Sequence, residues 1–152
     1  AGGESMSRDP KDLTEQMQCF YQRFKDKMEA EGQRFVLTAT YRPQVEQDAL
    51  FAQGRLSLKE VNGFRVLAGL QPITFEQNRK VTWVKKSRHT DREAFDIAML
   101  DKEGKVTWMT IAYKAAGRIG KSVGLVWGGD FQTTKDYPHF ELPKPTDKYG
   151  VA

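Results

Sequence analysis

The sequence is poor in the residue types that most often bind metals or react as nucleophiles: its 152 residues include one cysteine and two histidines. Cys19 alone cannot form an intrachain disulfide, and its place within the first predicted helix indicates a small core residue. No apolar run approaches the ~20 residues of a membrane span, and the amino terminus has no apolar signal core. The sequence therefore excludes a disulfide scaffold and a transmembrane helix.

The composition is that of one globular domain, with 39% hydrophobic and 29% charged residues. We place this domain at residues 6–143, interpret residues 1–5 as a non-native remnant before Met6, and interpret residues 144–152 as a charged tail. The formal charge is +4, but basic residues alternate with 20 acids instead of forming a stripe. Without a basic stripe or a helix-turn-helix signature, a nucleic-acid partner is not expected, and we expect a monomer.

Hydrophobic periodicity and breaker residues predict a mixture of helices and short strands. The predicted helices cover about 10–31, a segment between Pro43 and Gly54, about 57–68, and 111–123. The predicted strands cover 34–40, 81–85, 94–100, 105–108, 125–127 and 140–142, with a hairpin turn at 101–104. This order favours an α+β fold, with a small, mostly antiparallel sheet and helices packed on one side.

The apolar positions also predict which side of each helix is buried. In the first helix, steps of three and four residues join Leu13, Met17, Phe20, Phe24 and Met28. In the second helix, the expected buried side consists of Val45, Ala49, Leu50 and Phe51.

Both histidines lie in short motifs that are rich in carboxylates. His89 shortly precedes the Ala94-Phe95-Asp96 strand, and His139 lies within Asp136-Tyr137-Pro138-His139-Phe140-Glu141. Two imidazoles and one carboxylate suffice to bind a catalytic Zn²⁺ that keeps a position open for water, and a further carboxylate can move a proton. A lone histidine is more often a hydrogen-bonded structural residue, but this reading is weaker for the pair.

The separated motifs Ser87-x-His89-x6-Asp96, Trp127-Gly128-Gly129-Asp130 and Asp136-x-x-His139-Phe140-Glu141 resemble those of a known family. They are similar to zinc-dependent peptidoglycan peptidases of the M15 type, which include phage L-alanyl-D-glutamate endopeptidases and D-alanyl-D-alanine carboxypeptidases and dipeptidases. Tyr41-Arg42-Pro43, with Gln47, Leu50, Gly54 and Arg55, matches a further block. The resemblance covers roughly residues 13–142 and implies a hedgehog/DD-peptidase-like fold.

The resemblance implies that His89, Asp96 and His139 bind zinc and that Asp136 is the catalytic carboxylate. Glu141 is a rival to Asp136, because residues two apart in a strand share a face; its alternative is to orient an imidazole. Arg42 is the candidate for stabilising the oxyanion, and its alternative is a surface salt bridge.

Four further residues are candidates for substrate binding. Ser87 either contacts substrate or caps its loop, and Trp127 is either a pocket wall or a core residue. Gly128 and Gly129 would allow a substrate backbone to approach closely.

The sequence departs from the family pattern at Arg92, where glycine is common three residues after the first histidine. We expect different backbone angles in this loop and a long cation near the site. The segment from Leu56 to Lys80 is also long for the family, and we expect its helix to form a wall or lid of the cleft.

The implied function is hydrolysis of a peptide bond in peptidoglycan stem peptides, with the L-alanyl-D-glutamate bond as the first choice. A phage or prophage endolysin acting in the periplasm or cell wall would fit a chain without an evident signal peptide. The alternatives are a D-alanyl-D-alanine carboxypeptidase or dipeptidase and a non-catalytic, zinc-bearing wall-binding module.

Overall fold

A computed structural model describes residues 5–144, so residues 1–4 of the predicted remnant and residues 145–152 of the predicted tail lie outside the described part. Its helices are α1 (Glu15–Ala30), α2 (Gln44–Ala52), α3 (Leu58–Leu67) and α4 (Thr110–Ser122). Its strands are β1 (Phe35–Ala39), β2 (Ala94–Leu100), β3 (Val106–Thr107), β4 (Val126–Trp127) and β5 (His139–Glu141). Short 3-10 turns cover Pro10–Asp12 and Gly128–Asp130.

The five strands form one sheet in the order β1-β2-β5-β4, and β3 pairs with the far end of β2. All of the pairs are antiparallel. In the central pair Asp96 lies opposite His139, and on the other side of β2 it lies opposite Ala39, next to an irregularity in β1. Residues directly opposite each other point to the same face, so this register brings a carboxylate and an imidazole together.

The two faces of the sheet carry different chemistry. Phe95, Ile97 and Met99 alternate along β2 and pack with Phe24 of α1 and Ile119 of α4 into one apolar core. The intervening Asp96 points to the opposite face because successive side chains of a strand alternate. The predicted α+β fold is thus confirmed, with α1 and α4 covering one face and polar groups gathered on the other.

The first helix begins five residues later than predicted, because the Thr14 hydroxyl accepts a hydrogen bond from the Met17 amide and caps a helix that starts at Glu15. The predicted residues Met17, Phe24 and Met28 are buried on α1, and Leu13 is buried just before it. Phe20 is only half-buried, and Tyr21, which the pattern did not include, is buried. Cys19 is exposed, so the prediction of a core cysteine is wrong. The reason is helical geometry: Cys19 lies two positions from the buried Met17 and Tyr21, which places it on another side of the helix.

The predicted buried side of α2 is also wrong in part. Ala49 is buried, but Val45 is 40% exposed, and the helix turns Glu46 and Gln47 inward instead. Gln47 is fully buried because its side-chain amide has three hydrogen-bonding partners, namely Arg42, Thr82 and Val84. Satisfied polar groups can replace apolar ones in an interior, and the hydrophobic pattern does not reveal this exchange.

Residues 81–85 do not form the predicted strand. Their β-branched and aromatic side chains suit a strand, but a strand also needs a partner for its backbone. Here side chains supply the donors: Gln44 donates to the Lys85 carbonyl, Gln47 to that of Val84, and Arg55 to that of Thr82. The segment therefore runs along α2 as an irregular loop.

Candidate metal and catalytic site

Three predicted ligands meet on the polar face of the sheet. One donor atom each from His89, Asp96 and His139 lies within 4.8 Å of the other two. Asp96 Oδ1 is 3.1 Å from His89 Nε2 and 3.0 Å from His139 Nδ1. Both histidines are buried, at 3% and 7% exposure, so these nitrogens converge in a protected position. This donor set and its spacing fit a tetrahedral metal ion with one open position.

The other nitrogen of each imidazole is held by a hydrogen-bond acceptor. His89 Nδ1 lies 2.8 Å from the Thr40 carbonyl oxygen, and His139 Nε2 lies 2.8 Å from Glu141 Oε1. Each acceptor favours a proton on the nitrogen that faces it, so the neutral form of each ring would direct the lone pair of His89 Nε2 or of His139 Nδ1 at the cluster. The two rings are thus oriented as metal-binding histidines commonly are.

The electrostatic environment of the cluster favours a cation. Burial alone raises the pKa of Asp96, but its hydrogen bonds with His139 and His89 outweigh burial and hold that pKa well below the usual range. Burial lowers the pKa of His139, whereas its hydrogen bonds to Asp96 and Glu141 raise it to about 10. The anionic groups thus outweigh burial at His139, as expected of a site that attracts positive charge.

Asp136 lies at the open edge of the cluster. Its Oδ2 is 3.9 Å from His139 Nδ1, and its side chain is 52% exposed. Burial raises the pKa of this carboxyl, and the nearby charge of Asp96 also raises it. The Asp136 amide donates to the Gly128 carbonyl, and the His139 amide donates to the Asp136 carbonyl, so a closed turn fixes the residue beside the ligand.

Glu141 occupies the side of His139 that faces away from Asp96. Arg88 Nη1 donates to Glu141 Oε2 at 2.9 Å, while Glu141 Oε1 accepts from His139. Burial raises the pKa of Glu141, but the hydrogen bond to His139 and the charges of His139 and Arg88 bring it below its ordinary value. Oε1 of Glu141 is therefore engaged by the ring and Oε2 by Arg88, which are contacts typical of a residue that orients an imidazole.

Arg42 is anchored by the first turns of α2. Its Nη1 donates to Gln47 Oε1 at 3.0 Å, and its Nε lies 3.6 Å from Glu46 Oε2. The Arg42 amide donates to the His89 carbonyl, which ties this corner to the ligand loop. The charge of Arg42 also lowers the pKa of Asp136, which places the guanidinium within electrostatic range of the cluster.

The other predicted site residues serve mainly internal contacts. The Ser87 hydroxyl accepts from the His89 amide, which caps the ligand loop. Trp127 is 7% exposed and donates to the Tyr137 carbonyl. A Cβ on Gly128 would lie 2.1 Å from the Asp136 carbonyl oxygen, and one on Gly129 would lie 2.2 Å from the Trp127 ring. The groups that pack closely on these two glycines therefore belong to the chain itself, namely the Asp136 backbone and the Trp127 ring.

Arg92 does not change the loop backbone in the way expected. Its φ of 62° lies in the left-handed region that glycine favours, so the arginine adopts the kind of conformation that a glycine would take. Its guanidinium lies 3.8 Å over the Tyr41 ring and donates to the Asp12 carbonyl. The Thr14 amide in turn donates to the Arg92 carbonyl, so this residue links the start of α1 to the ligand loop.

Three supporting residues have no predicted role in the sequence: Thr40, Gln47 and Arg88. Thr40 acts through its backbone carbonyl, for which residue type carries no signal. Gln47 stands in the block around Arg42 that resembles the family, although no role is predicted for it from the sequence. Arg88 lies next to His89, and this proximity is the sequence signal that could have suggested it.

Comparisons with known proteins agree with this site. A family model described as a D-alanyl-D-alanine carboxypeptidase of the peptidase M15 group matches residues 81–142, which include all three candidate ligands. The peptidoglycan L-alanyl-D-glutamate endopeptidase CwlK of Bacillus subtilis (strain 168) is 29% identical over 116 residues, covering 70% of this chain and 59% of CwlK. The chain therefore spans about three fifths of the length of this relative.

Solved structures share the fold at low sequence identity. The Serratia marcescens L-Ala D-Glu endopeptidase ChiX superposes with a TM-score of 0.60 at 18% identity, covering 93% of this chain and 87% of ChiX. The structure of VanYB in complex with D-alanine-D-alanine superposes with a TM-score of 0.60 at 15% identity, covering 100% of this chain and 87% of VanYB. The vancomycin-resistance D,D-pentapeptidase VanY, in complex with Zn(II), superposes with a TM-score of 0.59 at 16% identity, covering 92% of this chain and 80% of VanY.

The fold and the clustered donors define the class: an α+β, hedgehog-like peptidase fold with a two-histidine, one-aspartate site. Over residues 81–142 the sequence is similar to the peptidase M15 family.

Proposed function

We propose that this chain is a zinc-dependent peptidase that hydrolyses peptide bonds in the stem peptides of bacterial peptidoglycan. The observation that carries the proposal is the convergence of His89, Asp96 and His139, with Asp136 at the open edge. The activities for which CwlK and ChiX are named and the zinc in the VanY structure support it. Residues 6–143 would form the catalytic unit.

In this proposal His89 Nε2, Asp96 Oδ1 and His139 Nδ1 hold the metal. When bound, zinc would acidify a water molecule and polarise the carbonyl of the scissile bond. Thr40 and Glu141 keep the two imidazoles in the required tautomer through their hydrogen bonds to the distal nitrogens. Arg88 in turn holds Glu141 in place.

Asp136 is proposed as the proton carrier. Amide hydrolysis requires a base that takes a proton from the attacking water and an acid that returns it to the departing amine. A half-exposed carboxylate beside a candidate ligand can reach both water and substrate, whereas Glu141 is occupied by His139 and Arg88. These contacts support the choice of Asp136 over its rival.

Arg42 is proposed to stabilise the oxyanion that develops on the attacked carbonyl oxygen. A permanently charged, planar donor suits this task, and its two contacts with α2 hold it ready before substrate arrives. A donor that is already in position stabilises the transition state without a rearrangement during the reaction. The anchoring of Arg42 therefore supports a catalytic role over that of a surface salt bridge.

The bond that we propose is L-alanyl-D-glutamate, since CwlK and ChiX are both named for it. Cleavage of D-alanyl-D-alanine is the second candidate, favoured by the matched family description and by the VanYB complex with that dipeptide. An origin in a phage or prophage, with lysis as the biological role, remains part of the proposal.

Digestion of purified peptidoglycan, followed by mass analysis of the fragments, tests the proposal. The first candidate predicts a new amino terminus on D-glutamate, with L-alanine retained on muramic acid. Free D-alanine as the sole product would instead establish the second candidate. No cleavage in the presence of Zn²⁺ by a folded protein that binds the metal would support the non-catalytic module.

A further inference from the structure

The segment just before the metal ligands, residues 79–86, is here named the basic loop. It contains Arg79, Lys80, Lys85 and Lys86 and no acidic residue within eight positions. It also exposes three large apolar side chains, at 52% for Val81, 55% for Trp83 and 50% for Val84. These three apolar side chains lie within four consecutive residues, and a group of exposed apolar side chains rimmed by polar residues is typical of an interaction site.

The basic loop is held in place by its backbone, although it lies outside the sheet. Side chains of α2 and of Arg55 bind three of its carbonyls, at Thr82, Val84 and Lys85. Its backbone also packs closely on Gly54, where an added Cβ would lie 2.3 Å from the Lys80 nitrogen. Because the backbone is fixed against α2, the side chains of Trp83 and the lysines are presented to the outside.

The loop is continuous with the candidate catalytic site. Gln47 accepts from Arg42 Nη1 through its side-chain oxygen and donates to the Val84 carbonyl through its nitrogen. Four residues after Lys85 the chain reaches His89. A polymer that occupies the site would therefore find the loop beside it.

We propose that the basic loop binds the peptidoglycan polymer next to the cleaved stem peptide, an inference that rests on the proposed function. Trp83 would pack against the apolar face of a sugar ring, and Lys80 and Lys85 would pair with free carboxylates of neighbouring stem peptides. Charge complementarity selects this occupant: the loop is cationic, and each stem peptide carries carboxylates. Lys86 is partly committed, since it lies 3.4 Å from Asp91.

The test compares binding to the intact polymer with turnover of a soluble stem peptide. Binding is measured by sedimentation with purified sacculi, from which covalently attached anionic polymers have been removed, at low temperature. Turnover is measured separately on a soluble, single stem peptide. Trp83→Ala should weaken sacculus binding about tenfold, as expected for loss of an aromatic anchor, and leave turnover of the soluble peptide within about twofold of the unaltered protein. Lys80→Gln/Lys85→Gln should weaken binding and reduce its sensitivity to salt.

The chain offers matched controls. Trp108 is 70% exposed, follows β3 directly and stacks on Tyr113, so Trp108→Ala should leave binding unchanged. Lys102→Gln/Lys105→Gln removes two positive charges at the 101–104 turn, the same number as Lys80→Gln/Lys85→Gln, and so controls for the loss of net charge alone. Thermal melting of each variant establishes that it is folded.

Several outcomes would overturn the inference: unchanged binding by Trp83→Ala, an equal effect of Trp108→Ala, or an equal loss of turnover on the soluble peptide. Binding that disappears when the attached anionic polymers are removed would assign the loop to those polymers instead. Failure of the proposed function is separate, because it would show as no turnover of the soluble peptide by the unaltered chain, whereas sedimentation reads binding without hydrolysis.

Discussion

His139 and Glu141 lie two residues apart on β5 and are joined by a 2.8 Å contact between Nε2 and Oε1. Since Nδ1 of the same ring faces Asp96, the two carboxylates hold opposite edges of one imidazole. Asp136 approaches the Nδ1 side instead, at 3.9 Å. The two acids that compete for the catalytic role are therefore separated by the ring between them.

This separation predicts that replacing each acid by its side-chain amide, in Asp136→Asn and Glu141→Gln, has a different effect. Asp136→Asn should retain zinc and lose turnover by about 10²-fold or more, because a proton carrier is removed and no ligand is. Glu141→Gln should lower metal affinity by roughly 10-fold to 100-fold, because it weakens the orientation of His139. Metal titration and steady-state kinetics measure both. Asp130→Asn, at an exposed carboxylate paired with Lys121, serves as the control. A metallated but inactive Glu141→Gln beside an active Asp136→Asn would reverse the assignment.

Replacement of either histidine tests the metal site directly. We expect His89→Ala and His139→Ala each to abolish stoichiometric zinc and activity, since two protein ligands rarely hold the ion. Elemental analysis of protein purified without added metal, together with circular dichroism for the fold, gives the answer. Less than about a tenth of an equivalent of zinc in the unaltered protein, with no activity restored by Zn²⁺, would contradict a catalytic zinc site.

Arg42→Ala should reduce kcat more than it raises KM if the guanidinium acts on the oxyanion. Arg42→Lys should recover only part of the loss, because an ammonium keeps the charge but not the planar contacts with Gln47 and Glu46. Arg118→Ala, at an arginine paired with Glu31 on the helical face, should be without effect. An increase in KM alone would place Arg42 in ground-state binding of the substrate.

Arg92 permits a test of backbone strain against side-chain contacts. Arg92→Ala keeps the left-handed backbone of the unaltered protein but loses the contacts with Tyr41 and Asp12. It should therefore destabilise the fold by about 1–2 kcal/mol. Arg92→Gly loses the same contacts but relieves the strain, so it should be more stable than Arg92→Ala by about 1 kcal/mol. Urea unfolding of both variants decides. Equal stabilities would mean that the backbone at this position carries no strain.

Cys19 should react with a thiol reagent such as Ellman's reagent in the folded protein, because its side chain is exposed. Cys19→Ser should change the free energy of unfolding by less than about 0.5 kcal/mol, as surface substitutions usually do. A thiol that reacts only after denaturant is added would contradict the exposed position.

Much of the fold follows from patterns that are local in sequence. The β2 strand was predicted at its observed bounds because its apolar run lies between clear breaks, and the 101–104 turn follows from its acidic and glycine residues. The helix predicted at about 57–68 is observed as α3, where the Ser57 hydroxyl accepts a hydrogen bond from the Glu60 amide and caps the first turn. The errors at Val45 and in residues 81–85 share one cause: burial and strand pairing depend on which partner is near, and the partner is distant in sequence. The error at Cys19 is local, because its position on the helix places it away from the buried side.

The sequence by itself determined the chemistry of this protein: two histidines, the acids beside them and an arginine at a helix start, in an order typical of one family of peptidases. Only the tertiary structure decided how these groups are arranged around one another. Antiparallel pairing set Asp96 opposite His139, the tautomers depend on the Thr40 carbonyl and on Glu141, and the close turn at Gly128 placed Asp136 at the open edge. Residue types can be read one at a time, whereas hydrogen bonds require two groups whose positions are fixed by the packing of the whole chain.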